Sequence, residues 1–369
     1  MTTQIHFGWK SRRPRHRYAA AVSLHAHTHF SRENLSFLGA ALGATPLLGE
    51  LLRRSGRDLA FPRLWWNPPL PPGEVFAIET AQIEREIDAQ ALVSITDHDE
   101  IAACRVVRLL HGREATPISL EWSVPLGSSF VHLGVHNLPR SEAESMFRAM
   151  REYTAAPRDE SLSELLAWIA ADPATLVVLN HPLWDEAHIG TAAHLQIVRN
   201  LLARCSGSIH ALELNGLRSW RENSAVLTLA REVGLPAVSG GDRHGPEPSA
   251  CVNLTDASTF AQFADEVRRD RRSTILFMPR YAESHSLRQI EAAWDLIRDY
   301  PEYPERARWT DRTFIDDDHG RARSLSEIWR MGEPWPARAC FRLLKLGSAG
   351  WRFGWGRRLR LPALTPQDW

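Results

Sequence analysis

Residues 21–34 read AVSLHAHTHFSREN: a short apolar run, then histidines on alternate positions at His25, His27 and His29, then polar residues. In an extended chain alternate side chains share a face, so His25 and His27 can turn two ring nitrogens toward one metal ion, about 2.0 to 2.2 Å away. Chemistry delivered at the carboxyl end of a strand is the plan of parallel α/β folds. The same stretch therefore poses the question of fold and the question of function together.

Outward from it, short apolar runs rich in β-branched residues alternate with segments of helical period, as expected of β/α units around a parallel sheet. The candidate strands are AAAVSL (19–24), ALVSIT (91–96), ATPIS (115–119), FVHLGV (130–135), TLVVLN (175–180), IHALEL (209–214), LPAVSG (235–240) and STILFM (273–278). Helical candidates lie between them at 77–90, 161–171, 192–205, 222–234 and 259–272, several ending near Gly or Arg as helix C-termini do. The alternation predicts an α/β barrel.

Two regions break the rhythm. Residues from about 39 to 73, ending FPRLWWNPPLPPG, hold too many prolines for a continuous helix or central strand and predict a long excursion. Its Trp65 and Trp66 either cover the barrel mouth or pack on the outer helices. After residue 281 the strand signals stop, which predicts a barrel domain over 1–281 and a helical, Arg- and Trp-rich extension over 282–369. For the tail from 321 onward, packing of Trp and Leu on the barrel with solvated arginines stands first. A nucleic-acid contact and an interfacial anchor stand beside it.

With 44 basic and 44 acidic residues the chain is formally neutral, which argues against a general polyanion or membrane-surface binder. The four cysteines form no C-x-x-C pair, so neither a thiolate zinc site nor a disulfide framework is suggested. No apolar run reaches the length of a membrane span, and the basic N-terminus lacks the apolar core of a signal peptide. The expectation is a cytoplasmic protein of unspecified oligomeric state.

His, Asp and Glu recur where the proposed strands end, the place where barrel active sites are built. SLHAHTH follows the first strand, TDHDE the second, LEWS the third, NHPLWD follows TLVVL, GGDRHG follows LPAVS, and His132 lies within FVHLGVH. These segments gather His25, His27, His29, His98, His132, His181, His244, Asp97, Glu121 and Asp242. Nitrogen and oxygen donors without thiolates suit Zn, Mn or Fe in a hydrolytic site.

Taken in order, HAHT, ITDHD, LEWS with HLGVH, NHP and GGDRHG resemble the motifs of the PHP family, named for polymerase and histidinol phosphatase, across residues from about 18 to 278. The resemblance implies a distorted seven-stranded β/α barrel of TIM-like type. It also implies a phosphoesterase that uses two or three divalent metal ions, Mn, Zn or Fe, to activate water. Carried onto this chain, one ion takes His25, His27, Glu121 and Asp242. A second shares Glu121 and takes His132 and His181, and His98 and His244 belong to a third. Asp97 is an outer partner of His98 and a candidate in the catalysis. The substrate implied is a small phosphoester or a nucleotide or oligonucleotide.

The chain departs from the family at Arg32, where an aspartate usually helps to bind metal, and at Ser23, where another often precedes the first His. At Arg32 either Glu33 or His29 substitutes, or the third metal is lost, or the guanidinium itself clamps phosphate. Arg243 is a candidate for substrate binding, and Glu213 and Asn215 for support of the site. His29, His136 and His188 are read as ordinary histidines. Two alternatives remain open: a non-catalytic PHP-fold binding or regulatory module, and an amidohydrolase-like enzyme.

Overall fold

The computed structural model describes residues 2–9, 17–34, 64–112, 114, 116–317, 319–330 and 342. By internal contacts the chain divides into two compact units, residues 1–31 with 70–285, and residues 32–69 with 286–369. It is a mixed α/β protein.

Ten strands of the first unit form two five-stranded sheets. In chain order they are β1 (Thr2–Phe7), β2 (Ala20–Ser23), β3 (Gln90–Val93), β4 (Leu120–Leu126), β5 (Ser129–His136), β6 (Leu176–Asn180), β7 (Ala211–Asn215), β8 (Ala237–Gly240), β9 (Cys251–Thr255) and β10 (Arg272–Phe277). One sheet runs β1-β10-β9-β2-β3, with β9 antiparallel to both neighbours. The other runs β8-β7-β6-β5-β4, parallel from β8 to β6 and antiparallel from β6 to β4. Among the described residues the ladders stop at five strands, and no closed barrel is hydrogen-bonded throughout.

The run TLVVLN shows why such strands read as continuous apolar stretches. Val177 and Leu179 pack into one core cluster with Trp122, Leu133 and Leu212, while Leu176 and Val178 pack into another with Val22, Val238 and Phe263. Both faces are covered, so no polar alternation is required.

Helices follow the strands with recognisable signals. α1 (Pro72–Ile87) begins on Pro72, whose missing N–H costs nothing in a first turn, and ends on Asp88 in the left-handed conformation. α2 (Ala102–His111), α3 (Ala143–Ala155), α4 (Asp159–Ile169) and α5 (Thr191–Arg204) come next. α6 (Trp220–Val233) is capped by Ser219 and stopped by Gly234 at φ 71°, and α7 (Phe260–Arg268) opens with a Thr259–Gln262 capping box.

Three expectations change. Residues 116–119 of ATPIS are loop: Pro117 has no N–H for a ladder, and the strand starts at Leu120 as the first arm of the β4–β5 hairpin. β1 and β9 were not foreseen. β1 is an edge strand without an apolar run, paired in parallel with β10, and β9 follows a loop dense in Gly and Pro.

In the second unit, Ala322–Ser324, Thr313–Asp316, Leu64–Trp66 and Glu33–Asn34 form a four-stranded antiparallel sheet. Leu64, Trp66, Leu325 and Trp329 make its core, with Trp309 and Ile315 packed against them. The region beyond residue 281, expected to be helical, therefore contains two strands as well as the helix His285–Ile297. Of the acidic DDDHG segment, Asp316 ends the first of these strands and Gly320, at φ 72° and donating its N–H to the Asp317 carbonyl, turns the chain toward the second. Trp66 is core and Trp65 stacks on Phe314. Most of the excursion and of the Arg- and Trp-rich tail lies outside the described residues. Among those described, no helix is long and apolar enough to cross a membrane.

Candidate metal centre

Two isolated parallel bridges set the geometry beyond the strand ends: Ala26 with Arg243, and His98 with Glu121. At the first, the His27 N–H donates to the Arg243 carbonyl at 2.8 Å and the Arg243 N–H to the His25 carbonyl at 3.3 Å. Alternation then sends His25 and His27 to the face opposite Ala26, and Arg243 to the Ala26 side. At the second, the Glu121 N–H donates to the Asp97 carbonyl and the Asp99 N–H to the Glu121 carbonyl, which brings His98 beside Glu121.

Glu121 is the hub. Its Oε2 faces His25 Nε2 at 3.0 Å and the Nε2 atoms of His27 and His98 at 3.3 Å each. Its Oε1 faces His181 Nε2 at 3.2 Å and His132 Nδ1 at 3.5 Å, and accepts from Asn180 Nδ2 at 2.9 Å. Asp242 Oδ1 stands 3.6 Å from both His25 Nε2 and His27 Nε2 and 3.7 Å from His244 Nδ1. His25, His27, Glu121, His132, His181 and Asp242 are buried, while His98 and His244 keep part of their surface in solvent.

Behind these donors lie fixed partners. Glu213 Oε1 is 2.6 Å from His25 Nδ1, and its Oε2 accepts from the His181 N–H at 2.8 Å and from Asn215 Nδ2 at 3.0 Å. Asn215 Nδ2 also reaches Asp242 Oδ2 at 3.0 Å. Asp97 accepts the Thr28 N–H at 2.5 Å and the Thr28 hydroxyl at 2.7 Å, holding the HAHT segment. His181 and Asp242 adopt φ of 26° and 54°, positions that side-chain-bearing residues hold only when their surroundings impose them.

Electrostatics follow from this crowding. Burial pushes the Glu121 carboxyl up, but the imidazoles of His25, His98 and His132 outweigh it and hold the group well below the usual range. Asp242 is likewise held well below, with burial outweighed first by His25. Burial opposes charge on His25, yet Glu121, Glu213 and Asp242 raise its pKa well above the ordinary value.

The donors also meet the spacing a metal needs. Ligands about 2.0 to 2.2 Å from one ion stand roughly 3.0 to 3.5 Å apart in octahedral or tetrahedral shells. The donor separations around Glu121 fall in that range. Ligand atoms of His25, His27 and Glu121, of His27, Asp242 and His244, and of His98, Glu121 and His132 lie within 4.8 Å of one another in each set. The residues present fit divalent cations.

The structure thus brings together His25, His27, His98, Glu121, His132, His181, Asp242 and His244, and sets Asp97 behind them. Arg243 goes elsewhere. Its guanidinium is buried against α1, paired with Glu79 Oε1 at 2.7 Å and donating to Gln82 Oε1 at 2.7 Å, because the bridge at Ala26 turns it from the centre. Arg32 belongs to the second unit, where it pairs with Asp316 and lies 4.2 Å over the Trp65 ring. His136 sits in the core beside the Ser94 hydroxyl. Asn180 went unnoticed in the sequence, although a polar residue ending TLVVLN is a usable signal. So did the pair beside His181, where Trp184 packs on its ring and the Arg218 guanidinium lies 3.4 Å over Trp184.

No family model and no curated protein matches the chain. Solved structures do, at low identity. A two-domain protein from Bacteroides vulgatus containing a predicted PHP-like metal-dependent phosphoesterase is 12% identical, with 72% of this chain and 70% of that one covered and a TM-score of 0.39. An inferred metal-dependent phosphoesterase from Bifidobacterium adolescentis is 14% identical over 69% of this chain and 96% of that one, with a TM-score of 0.37. An amidohydrolase from Chromobacterium violaceum with bound sulfate and no metal is 16% identical over 49% of this chain and 85% of that one, with a TM-score of 0.35. Likenesses this loose assign no reaction to this chain.

Proposed function

We propose that the chain is a metal-dependent hydrolase of the PHP type, cleaving a phosphomonoester or a nucleotide or oligonucleotide with water. The observation that carries this is the division of Glu121, whose two carboxylate oxygens face two separate imidazole groups, His25, His27 and His98 on one side and His132 and His181 on the other. A carboxylate that bridges two cations needs that division. A chain without such a task has no folding reason to bury so many polar groups together.

His25, His27, Glu121 and Asp242 would hold one ion, and Glu121, His132 and His181 a second. His98 and His244, at the part-exposed edge, would serve a third. Divalent Mn, Zn or Fe bound there would acidify a water and polarise the phosphoryl oxygen. The chain's own part is to fix the donors. Asn180 and Glu213 lock Glu121 and His25, Asp97 holds the HAHT segment through Thr28, and the left-handed backbone at His181 and Asp242 aims two more side chains inward.

A seven-stranded barrel is supported by adjacency. β2 pairs with β3 and β4 through β8 form one ladder, while the His98–Glu121 bridge lies at the β3–β4 seam and the Ala26–Arg243 bridge at the β8–β2 seam.

The test is a substrate screen on the purified chain reconstituted with Mn²⁺, Zn²⁺ or Fe²⁺, with phosphoesters and amides run in parallel. Phosphoester hydrolysis abolished by His25→Ala/His27→Ala is the expected result. Metal-loaded protein inert on the whole panel would favour a non-catalytic module, and turnover of amides alone would make it an amidohydrolase-like enzyme.

A further inference from the structure

We propose that Glu213 is a positioning residue for the metal centre, setting the ring of His25 and, through His181 and Asn215, two further ligand segments; this rests on the metal-dependent reading above. Glu213 is buried at the middle of β7 and touches three segments at once. Its Oε1 takes His25 Nδ1 at 2.6 Å, the shortest of the side-chain contacts that surround His25. Its Oε2 takes the His181 backbone N–H at 2.8 Å and Asn215 Nδ2 at 3.0 Å, and Asn215 passes the restraint on to Asp242 Oδ2 at 3.0 Å.

The chemistry of the imidazole makes the first contact decisive. A ring nitrogen binds metal through its lone pair, and the proton must then sit on the other nitrogen. Glu213 accepts at Nδ1, so a proton is held there, and Nε2, which faces Glu121 Oε2 and Asp242 Oδ1, is the nitrogen left to give up its proton and take a metal. Together with the Glu121 contact at Nε2, the Glu213 contact fixes the ring torsion from both sides. The second oxygen anchors the backbone of His181, whose φ of 26° needs an outside hold.

The fold makes room for this carboxylate. A methyl built on Gly240 in β8 would collide with Glu213 Oε1 and stand 2.7 Å from its Cδ and 2.8 Å from His25 Cβ. Only a residue without a side chain lets Glu213 and His25 meet across that strand.

The experiment uses the full chain and Mn²⁺ alone as probe. Affinity is measured by the free-ion electron paramagnetic resonance signal for wild type, Glu213→Gln and Glu213→Asp. Gln keeps the shape but puts an NH₂ where one oxygen accepted, so either His25 or His181 loses its acceptor; Asp withdraws both oxygens by one methylene. Both variants are expected to bind Mn²⁺ about 10- to 100-fold more weakly. The Co²⁺-loaded variants should show a changed visible spectrum, while thermal unfolding of the metal-free proteins controls for loss of fold. Wild-type affinity and an unchanged Co²⁺ spectrum in Glu213→Gln would overturn the positioning role alone. Failure of the wild type to bind Mn²⁺ or Co²⁺ would overturn both this role and the reading beneath it. If the variants do not fold, imidazole ¹⁵N correlations of wild-type protein decide: His25 must carry its proton on Nδ1, and a ring protonated only on Nε2 sinks the proposal.

Discussion

Arg243 and Glu79 meet at 2.7 Å, guanidinium to carboxylate, with both side chains sealed from solvent. Gln82 completes the arrangement: its Oε1 accepts from Arg243 and from the Ser249 N–H, and its Nε2 donates to the Ser249 carbonyl. The pair joins α1 to the loop that carries Asp242 and His244. Removing one partner strands a buried charge, which typically costs about 3 to 5 kcal/mol. Glu79→Ala is therefore expected to lower unfolding free energy by that order, measured by urea titration of metal-free protein. A loss below about 1 kcal/mol would mean that water reaches the guanidinium and the pair holds nothing.

His25 and His27 hang on one short extended segment and share Glu121 and Asp242 as neighbours. Purified protein analysed by inductively coupled plasma mass spectrometry is expected to carry two or three equivalents of Mn, Zn or Fe. The His25→Ala/His27→Ala variant should lose at least one equivalent, because half of one proposed ligand set disappears. Equal metal in the two proteins would move the ions away from this segment.

The part of the site legible in the sequence was the part written in residue types at strand ends. His25, His27, His98, Glu121, His181, Asp242 and His244 follow apolar runs, and the structure brings them together. Arg243's direction, opposite to its neighbours Asp242 and His244, follows from alternation, but its partner Glu79 and the Asp316 partner of Arg32 are distant in sequence and so were illegible. Glu213 was visible as a polar strand-end residue, but its grip on His25 depends on Gly240 leaving space in the adjacent strand. The same holds for the fold. TLVVLN announces β6, whereas β1 shows no apolar run and is recruited by pairing with β10. Pairing is a property of two segments, and neither carries it alone.

Two histidines outside the centre should govern acid stability. Burial depresses the pKa of His136 to about 3, and burial together with Arg268 does the same for His210. Unfolded, each takes up a proton near pH 6.5; folded, each resists it. Their stability contribution is therefore present above about pH 6.5 and lost as pH falls toward about 3, roughly a few kcal/mol for each. Urea midpoints of metal-free protein should decline across that window, and His136→Gln should flatten part of the decline. A variant with the same acid slope as wild type would show that His136 is protonated in the fold.

Gly240 offers the most specific test of how the fold serves the centre. It pairs with Asn215 in the β8–β7 ladder, and the side chains of Glu213 and His25 occupy the space where its Cβ would be. Its φ is not among the left-handed ones, so alanine suits the backbone and the whole penalty comes from the intruding methyl. In Gly240→Ala either Glu213 retreats and His25 loses its Nδ1 partner, or the β8 backbone shifts. Overpacking of this kind costs about 1 to 3 kcal/mol. Stability loss in that range should be accompanied by weaker Mn²⁺ binding. Stability loss with metal affinity unchanged would mean that β8 yields and leaves the His25–Glu213 contact intact. Gly134→Ala separates the other half of the centre, since its methyl would come 2.8 Å from Asn180 Oδ1 and 2.7 Å from His136 Nε2, on the side where Asn180 supports Glu121.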